Sequence, residues 1–244
     1  MSADNLVEAS PKLYARIGGV LYLVIILAGL FAEIFVRGPL VVSGDAAATA
    51  RNILASESLW RASFGAEMLI GICAVPLLVI EYFLLRPVNA TIALLGLIFN
   101  VISLSIEFVT DIGNYAALLF LDPAAYLKAL DPRQLEALAY VALRLHEQGF
   151  GVSLIFFGFV LICWGYLAYD SGYFPKTIGI LLAIGGLCYI INSFALFLAP
   201  TLADALFPYI LVPSFIAELS FCLYLIVVGV NLPKWNARLR RATT

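Results

Sequence analysis

The chain has 244 residues, of which 63% are hydrophobic and 12% charged, with a mean hydropathy of +1.02. A soluble domain is about one quarter charged, and a chain this apolar could not hide enough surface from water, so the expected solvent is a lipid bilayer. The net charge of −2 offers no basic field and excludes a nucleic-acid partner.

The N-terminal residues to Pro11 are polar and lack a basic-then-apolar signal pattern. The first apolar run is therefore expected to persist as a helix. Six spans follow from the need for about 20 apolar residues per crossing: Tyr14–Val36, Trp60–Leu85, Thr91–Leu121, Tyr140–Tyr169, Pro175–Ala199 and Tyr209–Val230. The third and fourth exceed a bilayer and should tilt or project. Asp45, opening an Ala-rich stretch between the first two spans, reads as the N-cap of a short interfacial helix. Arg86-Pro87-Val88-Asn89 reads as a tight turn. Asp122-Pro123 and Asp131-Pro132 each read as a cap before a helix start, and 170–175 and Ala199-Pro200 as breaks. The predicted fold is all-α, a six-helix membrane bundle built as three in–out–in hairpins. It divides into an N-terminal segment 1–13, a transmembrane domain 14–232 and a basic tail 233–244.

The hairpin reading rests on weak echoes. Phe64-Gly65-Ala66-Glu67 resembles Phe215-Ile216-Ala217-Glu218, and repeats of this kind often carry sites at their interface. Lys12, Arg16, Arg86, Lys176, Lys234, Arg238, Arg240 and Arg241 fall on one side. Arg37, Arg51, Lys128 and Arg133, diluted by acids, fall on the other. The richer side should be cytoplasmic, with both termini inside. In the tail, Trp235 and its neighbouring cations read as an interfacial lipid anchor.

Acids inside the spans are the functional lead. Asn100, Ser103, Glu107, Asp111 and Asn114 recur at three- and four-residue steps, which puts them on one helix face. Such a stripe faces protein or water rather than lipid. Glu67, Asn192, Glu218 and the pair His146-Glu147 are candidate partners from other spans. The bland alternative is a structural network with Arg61 and Arg144 as its cations, and a local pair with Arg86 is the bland reading of Glu81. His146, the single histidine, weighs evenly between core pairing and a proton switch.

Many chemistries are disfavoured. One histidine cannot supply bis-histidine haem or three-His zinc ligation. No lysine lies deep in a span, and phosphate-cradling loops and a Gly-x-Ser-x-Gly elbow are absent from the sequence. Cys73, Cys163, Cys188 and Cys222 stand singly as small packing residues. No metal-ligand set and no cofactor are expected. Gly151, Gly158 and Gly165, seven apart, read as a close-packing seam.

Arg16-Ile17-Gly18-Gly19-Val20-Leu21-Tyr22, Gly44-Asp45-Ala46-Ala47-Ala48-Thr49-Ala50 with Asn52-Ile53, Arg86-Pro87-Val88-Asn89, His146 with Gly149-Phe150, and Gly165-Tyr166-Leu167 together resemble an uncharacterised bacterial family of six-helix integral membrane proteins, a domain of unknown function. The resemblance implies a multi-pass protein of the bacterial cytoplasmic membrane and carries no activity or catalytic residue with it.

The expected function is an outward-facing acidic pocket for a small ligand, cation or proton, which the protein could transport or sense. Glu67, Glu107, Asp111, Asn114, His146, Glu147, Asn192 and Glu218 would line it. The alternatives are a membrane enzyme using His146 and a carboxylate on a lipid-borne substrate, and an accessory subunit without chemistry. The bilayer is the one partner the sequence names, and oligomeric state is open.

Overall fold

The computed structural model describes residues 10–122, 124 and 129–242. The proposed turn at Pro123, Lys128 and both chain ends (1–9, 243–244) lie outside the described residues. Everything regular among the described residues is helical: α1 Pro11–Leu40, α3 Glu57–Leu85, α4 Ala90–Leu121, α5 Pro132–Ser171, α6 Lys176–Leu198 and α8 Tyr209–Val227 are long and apolar enough to cross a membrane. Shorter helices α2 Ala46–Ala55, α7 Pro200–Leu206 and α9 Leu232–Ala242 complete the order.

Local chemistry sets the ends. Asp45 caps α2, its Oδ1 accepting from the Ala48 amide at 2.8 Å. Asp131 accepts from the Arg133 amide at 2.8 Å and starts α5 at Pro132, two turns before its apolar run begins. Gly172 and Gly229 take φ of +74° and +75° in turns after α5 and α8. Within α1 the stretch Phe31–Arg37 is wound as a π-helix, a rare form that is frequent at functional sites. Large apolar side chains face outward along the long helices, among them Ile72, Val109, Leu198 and Val227, each at least two-thirds exposed. That arrangement suits acyl chains rather than water.

The chain divides into two compact units. One holds the described residues to Val24, with Cys73–Leu104 and everything from Gly151 onward. Its α5 and α6 pack along the glycine seam. A Cβ on Gly158 would lie 2.6 Å from an Ile190 carbon and 2.7 Å from the Gly186 carbonyl. One on Gly165 would lie 2.6 Å from the Gly179 carbonyl. Gly96 likewise leaves room for the Trp164 indole. Tyr173, buried in the 172–175 turn, donates to the Leu84 carbonyl at 2.6 Å.

The basic tail departs from the expected lipid anchor. Trp235 is fully buried, and Arg238 bonds Asp170 at 2.6 Å and the Val88 carbonyl at 3.3 Å. α9 is strongly amphipathic and turns its indole into protein, with the indole N–H buried and without a partner among the described residues.

The second unit is Ile25–Ile72 with Ser105–Phe150. Its core gathers Val36, Leu40, Ile53, Trp60, Ala117, Leu118, Ala139 and Leu143. It holds the π-helical stretch, α2 and most of the acids.

Candidate functional site

The second unit builds a buried polar cluster around Glu67 of α3. Asp111 and Asn114 reach it from α4 and His146 from α5, and all four are at least 93% buried. Three glycines let the helices come this close. A Cβ on Gly113 would sit 2.8 Å from the Ala142 carbonyl and 3.2 Å from the His146 Cβ. One on Gly149 would strike Thr110, and one on Gly71 would strike Phe108. Trp60 then fixes α4 by donating its indole N–H to the Asn114 carbonyl at 3.0 Å.

Glu67 Oε1 accepts from Asn114 Nδ2 at 2.9 Å and pairs with the Arg37 guanidinium. Arg37 also bonds Glu33, at 2.8 Å, on the π-helical stretch they share. Glu67 Oε2 and Asn114 Oδ1 are buried with no partner among the described residues. His146 Nδ1 lies 3.1 Å from the Thr110 carbonyl and 3.6 Å from Asp111 Oδ1. A carbonyl only accepts, so Nδ1 carries a proton in that bond, and in the neutral ring Nε2 keeps the lone pair. One donor atom each from Glu67, Asp111 and His146 lies within 4.8 Å of the other two. Glu67 thus shares its guanidinium with the exposed Glu33, while Asp111 faces the imidazole.

Glu107 is half-buried one turn before Asp111, its carbonyl accepting from Thr110 Oγ1 at 2.9 Å. Glu147 is exposed and paired with Arg144 one turn away, while Arg61 pairs with Glu57 at 2.8 Å, also exposed. The two arginines expected to balance the buried acids are thus engaged in surface pairs. Arg37, just beyond the expected first span, takes that role instead. Its signal was faint: the i, i+4 spacing of Glu33 and Arg37, the latter one residue past the end of the first apolar run.

Glu218 belongs to the first unit. It accepts from Tyr22 at 2.9 Å and Tyr189 at 2.6 Å, donors that the sequence reading did not include. Glu81, in the same unit, is buried and accepts from the Trp164 indole at 3.0 Å, while the Arg86 guanidinium lies over the Phe83 ring. Asn192 is half-buried on α6 of that unit.

Residues 17–229 match the family described as Domain of unknown function (DUF4386). The chain belongs to this family. An uncharacterized protein of the archaeon Archaeoglobus fulgidus is 31% identical over 164 residues, covering 67% of this chain and 82% of that relative. No solved structure matches the chain. Family membership and six long apolar helices make this a multi-pass membrane protein of unknown function.

Proposed function

We propose that the Glu67–Asp111–His146 cluster is a binding site for a small cation, reached from the non-cytoplasmic side of the bacterial cytoplasmic membrane, with both chain termini inside. The observation carrying this reading is the imbalance of charge. Of the buried carboxylates Glu67 and Asp111, only Glu67 bonds a guanidinium, one it shares with Glu33, and its second oxygen has no partner among the described residues. Ionised groups deep in a span cost about 2.5–3.5 kcal/mol each on insertion scales. A resident counter-charge or water offsets that cost. A purely structural network would draw Arg61 and Arg144 inward, and both are engaged at the surface instead. The protein would sense or carry the cation through this site. Glu107 lies beside it, while Glu147, Asn192 and Glu218 fall outside the group it uses.

Asn114→Cys in a cysteine-free background tests the reading. In right-side-out vesicles a small cationic methanethiosulfonate should label Cys at position 114 at least tenfold faster than its anionic counterpart, and Asp111→Asn should abolish the difference. Equal rates for the two reagents, or no labelling from outside, would refute an outward cation site.

A further inference from the structure

The donors at this site are of a kind that discriminates among cations. Hard group II ions take all-oxygen shells of six or more ligands, whereas imidazole nitrogen beside carboxylate suits first-row divalent metals. Metal-bound histidines characteristically donate their second ring N–H to a carbonyl or carboxylate, which fixes the tautomer. His146 Nδ1 lies 3.1 Å from the Thr110 carbonyl and 3.6 Å from Asp111 Oδ1; with Nδ1 donating to the carbonyl, Nε2 would be the ligand nitrogen. Glu67 is tethered in a comparable way. Oε1 is held by Asn114 and Arg37, and Oε2 is left buried and unpartnered among the described residues. Asp111 supplies the third donor, and the three come from α3, α4 and α5 with donor atoms within 4.8 Å of one another. Bond lengths of about 2.0–2.2 Å to zinc would bring such donors to roughly 3.3 Å apart.

We propose that Glu67, Asp111 and His146 bind a single first-row divalent metal ion, zinc being the best fit, with water or Asn114 Oδ1 completing a four-coordinate shell. This rests on the cation-site reading and narrows it to one ligand class. Arg37 also bonds Glu33, so Glu33, Glu67, Asp111 and the guanidinium sum to −2, which one divalent ion balances. The unpartnered Asn114 Oδ1 would gain a bond directly or through that water.

Cobalt(II) added to the purified, detergent-solubilised protein should bind at one equivalent with a tetrahedral visible spectrum and be displaced by zinc. Asp111→Asn and His146→Gln should each weaken binding at least 100-fold, and Glu57→Gln, in an exposed pair, should leave it unchanged. Zinc K-edge absorption of the wild-type protein needs no variant and should show one imidazole among oxygen donors. A sulfur shell, absence of a stoichiometric site, or cobalt binding indifferent to both variants would overturn the metal assignment. If metal fails to bind while the charge preference at position 114 persists, the metal inference falls and the cation reading stands. If both measurements fail, both readings fall.

Discussion

Arg37 is the residue on which the buried cluster most depends. Its guanidinium is the cation paired with Glu67, a carboxylate 5% exposed. Removing one partner of a buried pair leaves an uncompensated charge, so Arg37→Gln should destabilise the protein by about 3 kcal/mol. Glu67→Gln should cost less than half as much, because the amide is neutral and Arg37 keeps Glu33. Detergent unfolding curves of the two variants give the comparison, and equal losses would contradict the pairing argument. Part of this cluster was legible in the chain. The three- and four-residue steps through Asp111 and Asn114 placed them on one face, and Glu67 and His146 stood out as ionisable groups in apolar runs. The cation was not legible. Arg37 lies 30 positions from Glu67, and its place is set by a π-helical winding that hydropathy does not encode. Glu218 stood out in the same way, but its partners did not: they are two tyrosine hydroxyls that no spacing rule connects to it.

Caps and glycines decide how the helices begin and meet. Asp45→Ala should cost about 1 kcal/mol of stability and speed hydrogen exchange across 46–50, where one amide loses its acceptor. Gly158→Leu should be far worse. The added atoms meet a backbone carbonyl as well as Ile190, and overpacking of this sort costs about 1–3 kcal/mol even with softer neighbours. Calorimetry on the two variants should rank them in that order. Between α5 and α6, burial pushes the Tyr173 hydroxyl above its usual value, opposed in part by Arg238. The unfolded chain would ionise this group first, so the neutral form's contribution is complete below pH of about 10 and fades as pH rises beyond it. Tyr173→Phe should flatten that alkaline loss while sacrificing about 1 kcal/mol at neutral pH. The seam and the Asp45 cap were readable because glycine periodicity and capping chemistry are local. The burial of Trp235 was not, because a tryptophan beside arginines looks the same whether its ring meets lipid or protein.

At the scale of the molecule, six apolar segments announced their own number, since no other solvent accommodates them. Their orientation rests on the uneven distribution of lysine and arginine. Reporter fusions at the two ends should both give cytoplasmic signals, and a reporter inserted near Ser43 should give the opposite signal. Ends on opposite sides would undo both the topology and the outward direction assigned to the Glu67 cluster. How the long helices divide between two packing units lay beyond sequence reading, because the division runs through the middle of α1, α3, α4 and α5 rather than along their connections.

A wider coil in the first helix bears on movement. Hydrogen bonds reaching five residues back hold one residue more per turn than the ordinary winding, so Phe31–Arg37 stores a phase offset. Tightening that turn by a single residue would swing everything beyond it by about 100° while changing the rise by about 1.5 Å. Arg37, at the far end of the stretch, would turn relative to the residues before it, and the guanidinium would leave its carboxylate on α3. Such a rewinding would part Glu67 from its guanidinium while changing the length of the helix by only about 1.5 Å.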